Sequence, residues 1–480
     1  MAIDPYLAAA AALCRPPAFP YPGPSRLPHH RRAAARRGQS ARQPRPPRQT
    51  LRPHHVPPAR LHGCVVASNA DAARAFLKTH DAQFANRPDP LSARDVSYQR
   101  QDLVMADYNP TWKLLRKVCS LHMLGGKAFA GWAAVRRDES GRMIRSMHGL
   151  ATKGEPVVLS DVLVCALANI LGMVLVSRRV FDTHGEESNK FKNIVLDMLT
   201  GGAQFNIGDF FPSIAWMDLQ GIQAKMRSVH VRFDAMLTKL LQEHEAPDFI
   251  DKLMENRVTE DGQTITDVNI KALISVSTTS AVPVEWAMAE MLRNPAILKR
   301  AQAEADAVVG RDRLLEESDL PKLAYLQAVC KEALRLHPST PLSLPHFSYE
   351  ECEVDSYRIP SNSRLLVNIW AIGRDPKVWA DPLVFDPDRF VAGGEGAKYD
   401  PHGNDFEFIP FGAGRRICSG KLTGMVFVQY MLGALVHSFD WRLPDGEEEL
   451  DMEEKHGLTI SKAVPLKVLL TPRLSAAAYI

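Results

Sequence analysis

The sequence predicts a mainly α fold with small β-sheets, built as a single domain. Three observations lead there: apolar residues recur at helical spacing through eight stretches, strand-like pieces are few and short, and no internal repeat or Gly/Ser-rich linker divides the chain. A length of 480 residues would allow about three domains of ordinary size, but one large, mostly helical unit accounts for the pattern better. With 45% hydrophobic and 24% charged residues the composition is globular, which excludes collagen-like, wholly disordered and multi-span membrane proteins.

Residues 1–62 stand apart. They hold 11 Arg, no Lys and one acid, Asp4, together with 13 Pro. So little apolar surface cannot offset the entropy of ordering, and the segment is expected to be a disordered tail or coding sequence foreign to the domain. Within runs such as Arg42 to Arg48 no aromatic residue interleaves with the arginines, so no nucleic-acid partner is expected. The other 418 residues carry 47 basic and 54 acidic side chains, a balance of −7 that the net charge of +3 conceals. The apolar run Leu7 to Leu13 ends at Arg15 and is far too short to span a bilayer, so no membrane anchor is expected in this chain.

The body runs from 63 to 480. Cys64 to Ala67 reads as a short strand and Asp71 to Thr79 as a capped helix. Helical periodicity continues over 111–124, 158–176, 190–200, 222–242, 284–306, 322–337 and 420–437. Arg364 to Ile369 and Ala463 to Leu470 read as strands. The uncharged run Val162 to Val176 has the length of a buried core helix rather than a bilayer helix.

Seven cysteines stand alone at 14, 64, 119, 165, 330, 352 and 418, with no C-x-x-C pair to hold structural zinc or a redox dithiol. One of them lies in an unusual setting, Phe411-Gly412-Ala413-Gly414-Arg415-Arg416-Ile417-Cys418-Ser419-Gly420. Glycines there permit tight turns and close approach of amide N–H groups to the Cys418 sulfur. Those donors, the arginines and the N-terminus of the following helix are expected to favour thiolate, the form that ligates metal. A thiolate in that cradle suits haem iron as an axial ligand. Gly412-Ala413-Gly414 is no dinucleotide fingerprint, since it lacks the third glycine and a preceding strand.

On the pattern Phe-x-x-Gly-x-Arg-x-Cys-x-Gly the chain resembles the cytochrome P-450 family of haem-thiolate monooxygenases. Further matches are Glu332-x-x-Arg335, spaced to share a helix face, and Arg389 within Pro387-Asp388-Arg389-Phe390. The resemblance implies that these three form a buried structural network behind the cysteine loop. It also implies that Trp112, Arg116 and Arg416 contact a haem propionate, with Phe411, Gly414 and Gly420 shaping the cradle. Segments such as Arg178-Arg-Val-Phe181, Ser213-Ile-Ala-Trp216 and His337-Pro-Ser-Thr-Pro341 narrow the likeness to plant flavonoid B-ring hydroxylases, the 3',5'-hydroxylases above all. What this implies is a microsomal enzyme on the cytosolic face of the endoplasmic reticulum, carrying haem b and taking NADPH electrons through a separate reductase. Its substrates would be O2 and flavanones, dihydroflavonols or related phenols. By the same analogy Thr340, Leu342, Leu344 and Thr459 line the substrate. Thr459 is a residue the 3'-hydroxylases tend to carry, so 3' and 3',5' regiochemistry both stay open.

Three departures from the family bear on activity. Its N-terminal membrane helix, hinge and first helix and strands have no counterpart before Gly63, so apolar surface is expected at the edge of the fold. The distal helix of the family carries an acid and a Thr that deliver protons, but Ile274 to Val284 contains no acid and is about five residues short. Thr278 and Thr279 are the alcohols left for the role, and Pro283 either strains a helix or starts one. His346 stands where the family usually places an Arg on a propionate, and neutral His is the weaker partner. A catalytically impaired haem-binding remnant is therefore the alternative reading.

Overall fold

The computed structural model describes residues 63–480 apart from 182–184, 203, 205, 210, 243–261, 263–265, 267, 270, 272–278, 445–448, 456 and 458. The Arg/Pro tail and Thr278 lie outside the described residues. Helices carry the architecture: α1 (Ala70–Arg74), α2 (Pro110–Cys119), α3 (Gly126–Gly131), α4 (Ala133–Thr152), α5 (Leu159–Val176), α6 (Glu186–Gly202), α7 (Ile222–Gln242), α8 (Ala281–Arg293), α9 (Pro295–Val309), α10 (Ala324–Leu336), α11 (Ile369–Ile372) and α12 (Lys421–Ser438). The strands are β1 (Cys64–Ala67), β2 (Val157–Val158), β3 (His346–Ser348), β4 (Cys352–Val354), β5 (Tyr357–Ile359), β6 (Ser363–Val367), β7 (Phe439–Arg442), β8 (Glu454–Lys455), β9 (Ser461–Lys462) and β10 (Lys467–Pro472). They form small sheets ordered β1-β6-β3, β2-β10-β7, β4-β5 and β8-β9.

Local chemistry explains the boundaries. Asn69 caps α1, its side chain accepting from the Ala72 N–H at 2.9 Å. The chain then widens into a π turn over Ala75–Thr79, closed by the His80 N–H on the Ala75 carbonyl at 2.9 Å. Asn109 caps α2 in the same way, with Pro110 in the first turn where a missing N–H costs nothing. A second π turn, Ser120–Leu124, follows α2.

The predicted helix 284–306 is two helices. Asn294 leaves the helical region, and its amide and side chain both close back on the Glu290 carbonyl. Pro295 enforces the break, because the residue before a proline avoids helical backbone. Pro283 sits in the first turn of α8, so it marks a start rather than strain. Helix α4 escaped the periodicity because its buried face includes Arg136, Glu139, Ser140 and Gly141. The long apolar run lies in α5, most of whose residues are buried inside the protein. The predicted strand Arg364 to Ile369 stops at Val367, and Ile369 opens α11; of the predicted strand Ala463 to Leu470 only the part from Lys467 is extended, as the start of β10.

β1 pairs in parallel with β6, Cys64 opposite Arg364. It is the outer strand of that sheet among the described residues, and its Val66 is 39% exposed. The largest apolar core draws on α4, α5, α8, α9, α10 and α12, with Trp286, Trp379 and Met431 fully enclosed. Helix α12 runs through this core and carries the Gly-rich loop at its N-terminal end.

Candidate functional site

Backbone hydrogen bonds shape the loop before α12. The Gly412 N–H donates to Ile409 O at 2.9 Å, Ile417 N–H to Gly414 O at 3.0 Å, and Cys418 N–H to Phe411 O at 3.0 Å. Gly412 and Gly414 hold φ of +70° and +69°, the left-handed region that favours glycine. At Gly414 the demand is also steric: a Cβ would stand 2.2 Å from the Leu77 carbonyl oxygen of the first π turn. Just beyond that turn, Asp81 accepts from the Arg415 N–H at 3.0 Å and pairs with its guanidinium at 3.3 Å. A Cβ on Gly420 would lie 3.9 Å from the Cys418 sulfur, an ordinary contact.

The sulfur is accessible, yet the protein around it desolvates the thiol and raises its pKa, against the Gly420 N–H and the charges of Arg116 and Lys421. In the protein alone burial works against the donors on which the sequence expectation relied. A metal that binds there would displace the proton itself. Among the described residues no three His, Cys, Asp or Glu side chains converge as a metal cluster. Cys418 therefore offers a single protein ligand, which fits an iron whose other donors come from a macrocycle.

Beside the loop the protein gathers guanidinium groups short of anions. Arg116 donates to the Ile417 carbonyl at 2.6 Å, and Arg416 donates to the carbonyls of Ala85 and Ala106 at 2.5 Å each. Both lie over the Trp112 ring, at 5.3 and 4.4 Å. Arg87 donates to Val104, Leu344 and Pro345 carbonyls. Burial lowers the pKa of all three, Arg87 to about 9 and Arg416 to about 10. Nη1 of Arg416 is buried without a hydrogen-bond partner. Among the described residues no carboxylate pairs directly with these three groups, although Asp102 and Asp107 act on Arg87 and Arg416 from farther off, so carboxylates such as haem propionates fit the donor set. Trp112 differs from expectation: its indole N–H already donates to Leu103 O at 2.9 Å, which leaves it the role of a platform for the arginines.

His346 does not reach out as a substitute for Arg. It is buried, its Nδ1–H donates to Phe84 O at 2.9 Å, and burial, then repulsion from Arg87, lowers its pKa to about 3. Since the folded pKa lies below the unfolded value, the neutral ring stabilises the fold above about pH 6.5, and that stability is lost as pH falls towards about 3. Asp102 titrates the other way. Burial raises its pKa to about 7, so its share falls as pH rises from about 4 towards 7. His346→Gln is expected to flatten the loss of stability between about pH 6 and pH 4 in urea titrations; an unchanged pH profile would remove the histidine from the account.

Behind the loop, Glu332 and Arg335 on α10 are wholly buried and doubly bonded, Nε to Oε2 and Nη2 to Oε1 at 2.7 Å each. Arg389 lies 3.4 Å from Glu332 and pairs with Glu395 as well. The Glu332 carboxylate also accepts from the Asp386 N–H at 2.8 Å.

Thr279 is half-buried in the turn that opens α8. Its neighbour Ser280 approaches Gly424 on α12, where a Cβ would lie 3.7 Å from the hydroxyl and 3.4 Å from the Phe411 ring. Thr340, Leu342 and Leu344 are half-buried, and Thr459 is buried. The two segments meet, because the Ile460 N–H donates to Ser339 O at 3.0 Å. Sequence reasoning missed Arg87, Trp286 and His337, which no local spacing marks and only tertiary contacts bring into play.

The sequence pattern of the family described as Cytochrome P450 matches residues 60–470. Flavonoid 3',5'-hydroxylase 2 of Petunia hybrida is 54% identical over 430 residues, spanning 87% of this chain and 84% of that protein. Flavonoid 3'-monooxygenase of Petunia hybrida is 48% identical over 436 residues, covering 87% and 85%. In shape the chain is similar to a zebra fish cytochrome P450 solved with progesterone, with a TM-score of 0.72 and 24% identity over 85% of this chain and 93% of the other.

Proposed function

The chain belongs to the cytochrome P450 family, and from that premise we propose that it hydroxylates the B ring of flavonoids, flavanones and dihydroflavonols in particular. The observation that carries the reading is the identity to flavonoid 3',5'-hydroxylases, 54% across 87% of the chain. Haem b, with NADPH electrons from a separate reductase, supplies the dioxygen chemistry when bound. Cys418 would be its ligand and Arg116 and Arg416, lying over the Trp112 ring, would meet its propionates, while His346 stays neutral against the Phe84 carbonyl. Thr340, Leu342, Leu344 and Thr459 form the wall that orients a planar phenol. The reductase and the endoplasmic reticulum membrane are the partner and location this reading implies.

A second reading has its own support. Ile274 to Val284 contains no carboxylate, so proton delivery would rest on alcohols alone, and the chain would hold haem while turning over little substrate. One experiment separates the two: full-length protein with haem, reductase and NADPH, supplied with a flavanone carrying a single B-ring hydroxyl. Hydroxylated product coupled to NADPH use is expected, and the ratio of 3' to 3',5' product fixes regiochemistry. A loaded protein that consumes NADPH without product would favour the impaired reading.

A further inference from the structure

Away from the cysteine loop, two buried aromatic rings join three separate parts of the chain. Trp286 of α8 and His337, the residue after α10, stack with centroids 4.2 Å apart and planes at 1°. Both side chains are buried. The His337 Nε2–H donates to Glu290 of α8 at 2.8 Å, and its Nδ1 lies 3.7 Å from Glu454 of β8. The Trp286 indole N–H donates to the Ile460 carbonyl at 3.1 Å, and the Ile460 N–H donates in turn to Ser339 O at 3.0 Å. Lys462 of β9 sits 5.1 Å above the indole.

The stacked rings therefore touch α8, the entry to segment 338–345 and the β8–β9 hairpin at once. The second and third of these carry Thr340, Leu342, Leu344 and Thr459. We propose that Trp286 and His337 form a positioning unit that sets the separation of the two segments, and through it how tightly a planar phenolic substrate is held. This rests on the reading above that those segments are the substrate wall. The contacts of the unit run to Glu290, Glu454, Ile460 and Lys462, and Ile460 in turn bonds Ser339, a set distinct from the residues that shape the Cys418 loop. A small misplacement of a binding wall costs binding steeply, on the order of tenfold or more. Haem loading, held by other residues, is untouched by the same displacement.

Two variants of the full chain test the unit. Trp286→Phe keeps a ring in the stack and removes the N–H on Ile460; His337→Phe keeps a ring and removes both carboxylate contacts. Loading is read from the thiolate-type spectrum of the reduced carbon monoxide complex. Affinity is read from the shift in haem absorption on titrating the single-hydroxyl flavanone, and hairpin order from amide exchange at Ile460. Expected are normal loading, about tenfold weaker flavanone binding in both variants, faster exchange at Ile460, and in turnover a raised KM with kcat little changed. Flavanone affinity within about twofold of the parent in both variants would overturn the proposal, as would loss of loading in both, which would make the pair ordinary core. If one variant fails to load, the other decides. A parent protein that loads normally but gives no shift with the flavanone would count against the proposed function instead. The unit would then be judged by Ile460 exchange in Trp286→Phe, with unchanged exchange overturning it.

Discussion

Cys418→Ser is expected to abolish the thiolate-type spectrum of the reduced carbon monoxide complex while the fold survives. The loop is held by the amides of Gly412, Ile417 and Cys418 itself, none of which needs the sulfur. A serine hydroxyl does not ionise near neutral pH and cannot replace a thiolate as the electron-rich ligand. Cys119 and Cys330 fail on access: both are fully buried, and burial pushes the Cys119 thiol up to about 12 and raises the Cys330 thiol as well. Cys119→Ser therefore serves as the control and should keep the spectrum. The same absorbance measurement, with haem content determined in parallel, checks both variants. An unchanged thiolate band in Cys418→Ser would sink the ligand assignment.

Glu332→Ala should be the most damaging change outside the loop. Its carboxylate takes both fork donors of Arg335 at 2.7 Å and the Asp386 amide at 2.8 Å, with Arg389 at 3.4 Å. Arg335 meanwhile holds the carbonyls of Gly373, Pro382 and Val384, so the network ties α10 to the chain between 373 and 386. The Arg335 guanidinium lies over the Trp379 ring, which in turn packs against Phe390 and Phe408. Truncation leaves the buried Arg335 guanidinium without a carboxylate and Arg389 with Glu395 alone, at a cost on the order of 3–5 kcal/mol, a large share of the roughly 5–15 kcal/mol by which domains are stable. Loss of haem loading and a clearly lowered Tm are expected, with Glu332→Gln in between because it keeps one acceptor oxygen. A normally loaded Glu332→Ala would contradict the network account.

Much of this was legible in the sequence because it is local. The Gly-Arg-Cys spacing before α12, the Glu332–Arg335 helix face and the periodic helices α5, α7, α10 and α12 all depend on neighbours within a few residues. What stayed hidden depends on the fold. Helix α4 buries charged residues that pair at a distance, such as Glu139 with Arg179 and Arg136 with Glu317, so its apolar stripe is faint. The burial that raises the Cys418 thiol pKa comes from the whole surroundings, which no spacing encodes. The Trp112 donor goes to Leu103, a carbonyl in an irregular stretch without any periodic signal. Pro295 did announce the break at Asn294, but the apolar pattern runs through it and masks the signal.

The π turn at Ala75–Thr79 makes the cysteine loop a reader of chain length. A turn of this kind accommodates one residue more than an α-helical turn. Deleting a residue from the α-helical turn before it, Ala70–Arg74, would rotate the downstream chain by about 100° and withdraw it by about 1.5 Å. The Leu77 carbonyl and Asp81 would then no longer meet Gly414 and Arg415. Side chains along that turn can drift in an evolving lineage far more freely than their number can, and an insertion or deletion in a segment so distant in sequence would be felt first at the sulfur.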